Sequence, residues 1–443
     1  MKKNLTLQIL PALATILLAT GHLGAAGAAT AALTLDDCLR LADESQPAFA
    51  AAQAGISAAT DAVSEARAPF LPQIDLAAGY HRWQRRAFLP GGLTVPGGAL
   101  PELVGPLDDW NGGVVSRLTL FDFGERRAGL EAARARLAGA EADSAAVRAD
   151  VVQVVRAAFY GLAAARELQT AAAKNLDRTE GHLALARARR ESGAVPQADV
   201  LRAEAEVASA RLQLIAAQSR VRVAAGRLNT AMGRPAETGL EIDPAIPVTP
   251  PPAVADLNAL TARALASRPE IQSGEHRLEA ARATMAAARA ARGLKIRADG
   301  AFGWRDTDFV PENKEWQAGV SLEYPLFDAG SRASRLARSR AELAREEAWQ
   351  ASRRLQVREE IWAAAAELER AWNSIDANDS AVRAGAESLR VVRERYENGA
   401  ALMTDLLDTQ TALAHAEASL AGARWSYLAA RAAFDRATGM SEN

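Results

Sequence analysis

The chain has 443 residues, 49% hydrophobic, 24% charged and 5% aromatic, with 52 basic against 54 acidic side chains and one cysteine. The near-neutral balance excludes a polyanion binder, nucleic acid included, that relies on bulk positive charge, and one cysteine excludes a disulfide framework or a multi-thiolate metal site. Length alone suggests two or three globular domains, but alanine in excess beside Arg, Glu and Leu belongs to long helices in close contact.

Lys2 and Lys3 precede an apolar stretch from about Leu5 to Leu18 and a small-residue run from Gly24 to Ala32. That order is a secretory signal peptide, so residues 1–31 are expected to be cleaved. The apolar core is broken by Pro11, and no later run of 18 apolar residues occurs, so no spanning helix is expected. Cys38 lies within a helical pattern and lacks small residues before it, which reads as a core position and not a lipidated N-terminus.

Helices are expected over 35–68, 125–191 and 196–232, with strands at about 73–83 and 113–121 separated by a Gly/Pro-rich loop. The pattern then starts again. Leu120-Phe121-Asp122-Phe123-Gly124 recurs as Leu326-Phe327-Asp328-Ala329-Gly330, and Ser192-Gly193-Ala194 with Asp199-Val200-Leu201 recurs as Asn398-Gly399-Ala400 with Asp405-Leu406-Leu407. Both pairs are 206 residues apart, the signature of a duplicated unit. The repeats run over 32–235 and 257–443, joined by a proline-rich linker at 236–256 that reads as extended. The second repeat predicts helices over 257–292, 331–397 and 402–438 and strands at about 295–305 and 316–326.

Glu125 to Glu191 and Ser331 to Glu397 each run without proline, and at about 1.5 Å per residue each helix spans roughly 100 Å. Ile361, Leu368, Ile375, Val382, Leu389 and Tyr396 recur every seven residues, with Val155, Leu162, Gln169, Leu176, Leu183 and Arg190 as repeat partners. An apolar heptad means helices packed lengthwise. The other helices are about half as long, so two placed end to end match one long helix.

The strands alternate. Ile74, Leu76 and Tyr80, then Leu118 and Leu120, Phe302 and Trp304, and Trp316, Val320, Leu322 and Tyr324 alternate with polar or small neighbours. Dyad alternation with aromatics near the ends fits a barrel facing outer-membrane lipid. Four strands are too few to close, since such barrels begin at about eight, and open edges do not exist in hydrocarbon. Three chains would supply twelve strands. The expected fold class is therefore mostly α with a small membrane β-barrel portion, a homotrimer with an α-helical barrel of about 100 Å.

The chain resembles the TolC-like outer-membrane efflux family over Leu33 to Met440. The resemblance is carried by Leu35-Asp36-Asp37-Cys38-Leu39 with Gln46-Pro47, Leu71-Pro72-Gln73-Ile74, Leu-Phe-Asp-x-Gly at both strand–helix junctions, Tyr396-Glu397-Asn398-Gly399 and Asp405-Leu406-Leu407-Asp408. It implies an exit duct in the outer membrane of a Gram-negative bacterium, extending into the periplasm. The implied partners are a periplasmic adaptor and an inner-membrane pump of RND, MFS or ABC type. Asp405 and Asp408, one helical turn apart, match the narrow inner entrance, with Asp199 beside them, although N-capping alone also accounts for Asp199. Gly193, Ala194, Gly399 and Ala400 match the adaptor-contacting tip, although making the turn explains them as well. Where the family carries a basic residue two positions after the tip glycine, this chain has Ala401; Arg393 and Arg395 stand nearby.

No Gly-x-Ser-x-Gly, phosphate loop or His-Glu-x-x-His motif occurs, and the histidines are isolated. No enzymatic activity, cofactor or metal is expected. The competing reading is a periplasmic coiled-coil scaffold whose strands form a soluble sheet.

Overall fold

The computed structural model describes residues 32–84, 107–251 and 256–440, together with the backbone of four short strands between 87 and 104. The expected signal peptide and residues 252–255 of the linker lie outside the described residues. The first repeat comprises α1 (Leu35–Ser45), α2 (Pro47–Arg67), β1 (Gln73–Trp83), β2 (Leu107–Phe121), α3 (Glu125–Glu191) and α4 (Gln197–Ala231). The second comprises α5 (Leu257–Ser267), α6 (Pro269–Ala290), β3 (Lys295–Asp306), β4 (Lys314–Glu323), α7 (Ser331–Glu397) and α8 (Met403–Thr438). Between β1 and β2 the chain pairs with itself again at 87–88 with 103–104 and 94–95 with 98–99.

Both long helices are 67 residues, as the unbroken runs predict. The helices expected over 35–68 and 257–292 are instead two each. Pro47 and Pro269 lack the N–H that a continuing helix requires, and they hold Gln46 and Arg268 in extended backbone. Thr34 starts α1 with a capping box, its hydroxyl accepting from Asp37 N at 3.2 Å while Asp37 Oδ2 accepts from Thr34 N at 3.2 Å. Half-length helices flank α3 along its whole length, α2 and α6 toward the sheet and α4 and α8 beyond them; α7 is flanked likewise by α6 and α8.

The four strands form one antiparallel sheet in the order β1-β2-β3-β4. β2 begins six residues before the expected start, because its ladder with β1 runs on from Gln73–Arg117 to Trp83–Leu107. Its acidic start is neutralised from elsewhere: Asp108 by Arg82 at 2.8 Å and Asp109 by Arg305 at 2.6 Å. β4 ends at Glu323 and not at 326, since Pro325 cannot donate to a ladder. Tyr324, expected within the barrel, therefore lies just past the strand.

At each strand–helix junction the Leu-Phe-Asp-x-Gly motif makes the same turn. Asp122 accepts from Gly124 N and Arg126 N, both at 3.1 Å, and Asp328 accepts from Gly330 N at 3.1 Å and Arg332 N at 2.9 Å. Phe123 and Ala329 are left-handed at φ 54° and 52°, a conformation costly for a bulky residue. The Phe123 ring rests on Gly293, where a Cβ would lie 2.7 Å from the ring.

The main core sits at mid-length. Val155, Phe159 and Leu162 of α3 meet Leu228 and Met232, Leu368 and Ala371 of α7, and Tyr427 and Phe434 of α8. Cys38 of α1 joins them fully buried, and burial pushes its thiol up to about 11. The linker closes this core, with Leu33 N donating to Glu241 O at 2.9 Å and the Tyr427 hydroxyl to Thr249 O at 2.6 Å.

Candidate functional site

The register sorts the side chains of the sheet onto two faces, because directly opposed residues share a face. Leu76 pairs with Val114, Val114 with Phe302 and Phe302 with Trp316. Ile74, Tyr80, Leu118, Trp304, Val320 and Leu322 fall on that same side. Leu120 does not keep its place: a one-residue slip between Thr119 and Phe121 sets Phe121 opposite Ile296 and leaves Leu120 outside the ladder. This apolar side is uncovered within the chain, Leu76 being 86% and Val320 70% exposed.

The opposite face carries ion pairs. Arg117 lies 3.4 Å from Asp75, Arg297 pairs with Glu323, and Arg305 reaches both Asp109 and Glu315. Trp83 Nε1 also donates to Asp109, at 2.9 Å. Gly113 and Gly303 bring β2 and β3 unusually close, for a Cβ on Gly113 would lie 2.5 Å from Phe302 O. Crowding on the polar side with open space on the apolar side is the curvature of a sheet wrapped around its polar face. Both outer edges, β1 and β4, lack a strand neighbour among the described residues.

At the far end of the long helices lie the two turns. Gly193 and Gly399 both adopt φ 77°, and their neighbours close the helices backward: Ala194 N donates to Arg189 O at 2.9 Å and Ala400 N to Arg395 O at 2.7 Å. Asp405 and Asp408 are exposed on one face of α8. Asp405 also caps that helix, accepting from Leu402 N at 3.1 Å. Asp199 behaves differently from its repeat partner. Pro196 stands at the N-cap and has no N–H to offer, so the expected cap does not form. The Asp199 side chain is only 15% exposed and lies 4.0 Å from Arg202. Burial, reinforced by the charge of Asp199, raises the pKa of the Tyr396 hydroxyl.

Sequence reasoning passed over Arg189. Its guanidinium lies 4.9 Å from the centroid of the Tyr396 ring and donates to the Tyr396 carbonyl, tying the end of α3 to the end of α7. Arg393 and Arg395 stay within their own hairpin, bonding Glu397 at 3.0 Å and Ala400 O at 3.3 Å. The signal was available, because Arg189 and Arg395 are partners in the 206-residue repeat.

Among the described residues no His, Cys, Asp or Glu grouping could hold a metal ion, and no helix is long and apolar enough to cross a membrane.

The family model for outer membrane efflux protein matches residues 38–234 and 260–440. CyaE of Bordetella pertussis is 28% identical over 393 residues, covering 86% of this chain and 78% of that protein. The pyoverdine export outer membrane protein OpmQ of Pseudomonas aeruginosa is 28% identical over 416 residues, covering 91% and 85%. Among solved structures, the CmeC outer membrane channel of Campylobacter jejuni superposes with a TM-score of 0.81 at 17% identity, covering 92% of this chain and 87% of that one.

Proposed function

Since the chain belongs to the outer membrane efflux protein family, we propose that three copies form a passive exit duct across the outer membrane and periplasm. One observation carries this reading: a four-stranded sheet with a bare apolar face and two open edges is continuous with helices of 67 residues. Pairing β4 of each copy with β1 of the next removes every edge and yields twelve strands. Ile74, Leu76, Tyr80, Leu118, Phe302, Trp304, Trp316, Val320 and Leu322 then face lipid, while the ion-paired face lines the lumen. A soluble scaffold would leave that apolar face in water.

The helices continue the lumen into the periplasm, and the turns form its inner mouth. Gly193, Ala194, Gly399 and Ala400 make small-residue turns where an adaptor's backbone can approach closely, joining the duct to an inner-membrane pump of RND, MFS or ABC type. The energy comes from that pump. Asp405 and Asp408, exposed and repeated three times, form rings that concentrate cations at the entrance. Asp199, largely buried and 4.0 Å from Arg202, contributes less to the field of the mouth.

The entrance is tested with Asp405→Asn and Asp408→Asn together, because an amide oxygen at position 405 still accepts from Leu402 N and keeps the helix cap. In planar bilayers the variant is expected to lose cation preference by about tenfold at low salt, and by less as salt screens the ring. Unchanged selectivity would remove the two carboxylates from the entrance. Recovery of the wild-type protein as a soluble periplasmic monomer would overturn the duct itself.

A further inference from the structure

Between the mid-length core and the inner tip, the junction of α3 with α8 turns polar. After Ala163 the buried positions of α3 are Asn175, Thr179 and His182, and only then Ala186. Their spacing places them in one stripe. Facing them from α8 is Gln410, fully buried between Leu406 and Leu413. Its amide donates to Asn175 Oδ1 at 2.6 Å, and its oxygen lies 3.4 Å from His182 Nε2. With Gln410 so oriented, it is Nε2 of His182 that carries a proton toward the Gln410 oxygen.

Apolar residues would pack this stripe at least as well, so a buried polar layer in a helical seam calls for another reason. The duplication provides a comparison. The repeat partners of Asn175, Thr179 and His182 are Ala381, Gly385 and Ser388, and that of Gln410 is Glu204. The unit therefore folds without the layer, which belongs to the α3–α8 junction alone.

Most charges around His182 are already matched. On α3, Arg178 pairs with Glu417 of α8, Nη1 to Oε1 at 2.9 Å. On α7, Arg393 pairs with Glu397 at 3.0 Å, and Arg390 with Glu387 at 2.7 Å and Glu394 at 2.6 Å. From α4, Glu204 is held by Arg187 at 2.8 Å and Arg211 lies 3.5 Å from Glu180. Asp177 borders the same groove. A proton on the ring adds a buried positive charge, and the carboxylate whose charge acts on it, Glu397, is already bonded to Arg393.

We propose that the Asn175–Gln410–His182 layer is a protonation-sensitive latch, holding α8 against α3 while His182 is neutral and loosening that junction, and with it the inner tip, when His182 gains a proton. Burial, the largest influence, lowers the pKa of His182; the hydrogen bond to Gln410 and the charge of Glu397 oppose it, but burial with the charges of Arg393 and Arg178 outweighs them. The sign follows. A histidine whose folded pKa is depressed stabilises the closed junction above its ordinary value, near 6.5, and that stability is lost as pH falls below it. The effect on the tip rests on the duct reading, but the latch itself does not.

The test compares the wild-type trimer with His182→Gln, which keeps a donor toward Gln410 and cannot titrate. Hydrogen exchange of residues 175–186 and 406–413, corrected for intrinsic rates, is measured at about pH 7.5 and about pH 5. Wild-type protection is expected to fall about tenfold per unit of depressed pKa, with open-channel probability in bilayers rising alongside. His182→Gln should change less than about twofold. Equal acid responses in both proteins, or no acid response in the wild type, would overturn the latch; the wild-type measurement alone suffices for the second outcome if the variant does not assemble. Loss of protection without any channel at either pH would overturn the duct and leave the latch standing.

Discussion

Val320→Arg is expected to prevent the barrel from assembling, whereas Gln317→Arg three residues away leaves it intact. Val320 lies midway between Trp316 and Tyr324, on the apolar side of the sheet, and is 70% exposed in the isolated chain. If that side faces lipid, the arginine sits near the bilayer midplane, where it costs about 2–4 kcal/mol. Threefold repetition raises this to roughly 6–12 kcal/mol per trimer, comparable with the whole stability of a folded domain. Gln317 pairs with Ala301 on the polar side, where an arginine stays hydrated in the lumen. Heat-resistant trimer in the outer-membrane fraction is the measurement. Wild-type levels for Val320→Arg would mean that this face does not meet lipid. A soluble scaffold predicts the reverse, since replacing an exposed valine by arginine improves solubility.

That contrast can be drawn from sequence alone because strand alternation has a period of two and survives errors in strand length. The apolar set was legible as a set, and the register later placed nearly all of it on one face. Leu120 was not, since a bulge depends on how two distant strands meet. The start of β2 was missed for a related reason. Asp108 and Asp109 look like loop residues until Arg82 and Arg305, the latter 196 positions away, arrive to neutralise them. The halves of the interrupted helices were legible in principle, for Pro47 and Pro269 stand in plain view.

The helical tunnel divides in the same way. On α7 the heptad residues Ile361, Leu368, Leu389 and Tyr396 are buried. On α3 the corresponding heptad holds at Val155 and Leu162, both buried, and then misleads: Gln169 and Leu183 are only half-buried and Arg190 is exposed, while Asn175, Thr179 and His182 are buried. The long helix α3 packs against α4 on one flank and α8 on the other, so its deepest stripe falls between the faces that a single partner would select. A search for apolar residues at heptad spacing passes over a polar stripe by construction. The tip turns were legible because glycine at a helix end has a specific backbone role. Their bracing by Arg189 was legible only in part: the repeat pairs Arg189 with Arg395, but its contact with Tyr396 depends on two helix ends meeting after 67 residues each.

Arg268→Met should lower the stability of the mid-length belt by about 3–5 kcal/mol, the range for removing one partner from a buried ion network. Arg268 is 4% exposed, at the break between α5 and α6. It pairs with Glu270, lies 2.7 Å from Glu360 of α7, and donates to Ala437 O of α8 at 3.3 Å. Glu270 also lies 3.2 Å from Arg436, which reaches Asp150 of α3 at 2.7 Å. One guanidinium thus joins the second repeat's entry helices to its long helix, and through Glu270 and Arg436 to the first repeat. Methionine fills the space but leaves Glu270 with one cation and the Ala437 carbonyl without its donor. Glu360, half exposed, recovers water and loses little. Burial alone would raise the pKa of Glu270, but the hydrogen bond and charge of Arg268, with the charge of Arg436, outweigh it and hold the carboxyl below its usual range. The stability that this contributes is present above the ordinary glutamate value, near 4.5, and is lost as pH falls through the depressed folded value. Thermal dissociation of the trimer should therefore occur at lower temperature in Arg268→Met at neutral pH, with the gap from wild type narrowing in acid. Adding Glu270→Gln should recover part of the loss, because the stranded charge is then gone. A gap that is independent of pH, or no recovery in the double variant, would assign Arg268 to packing and not to charge.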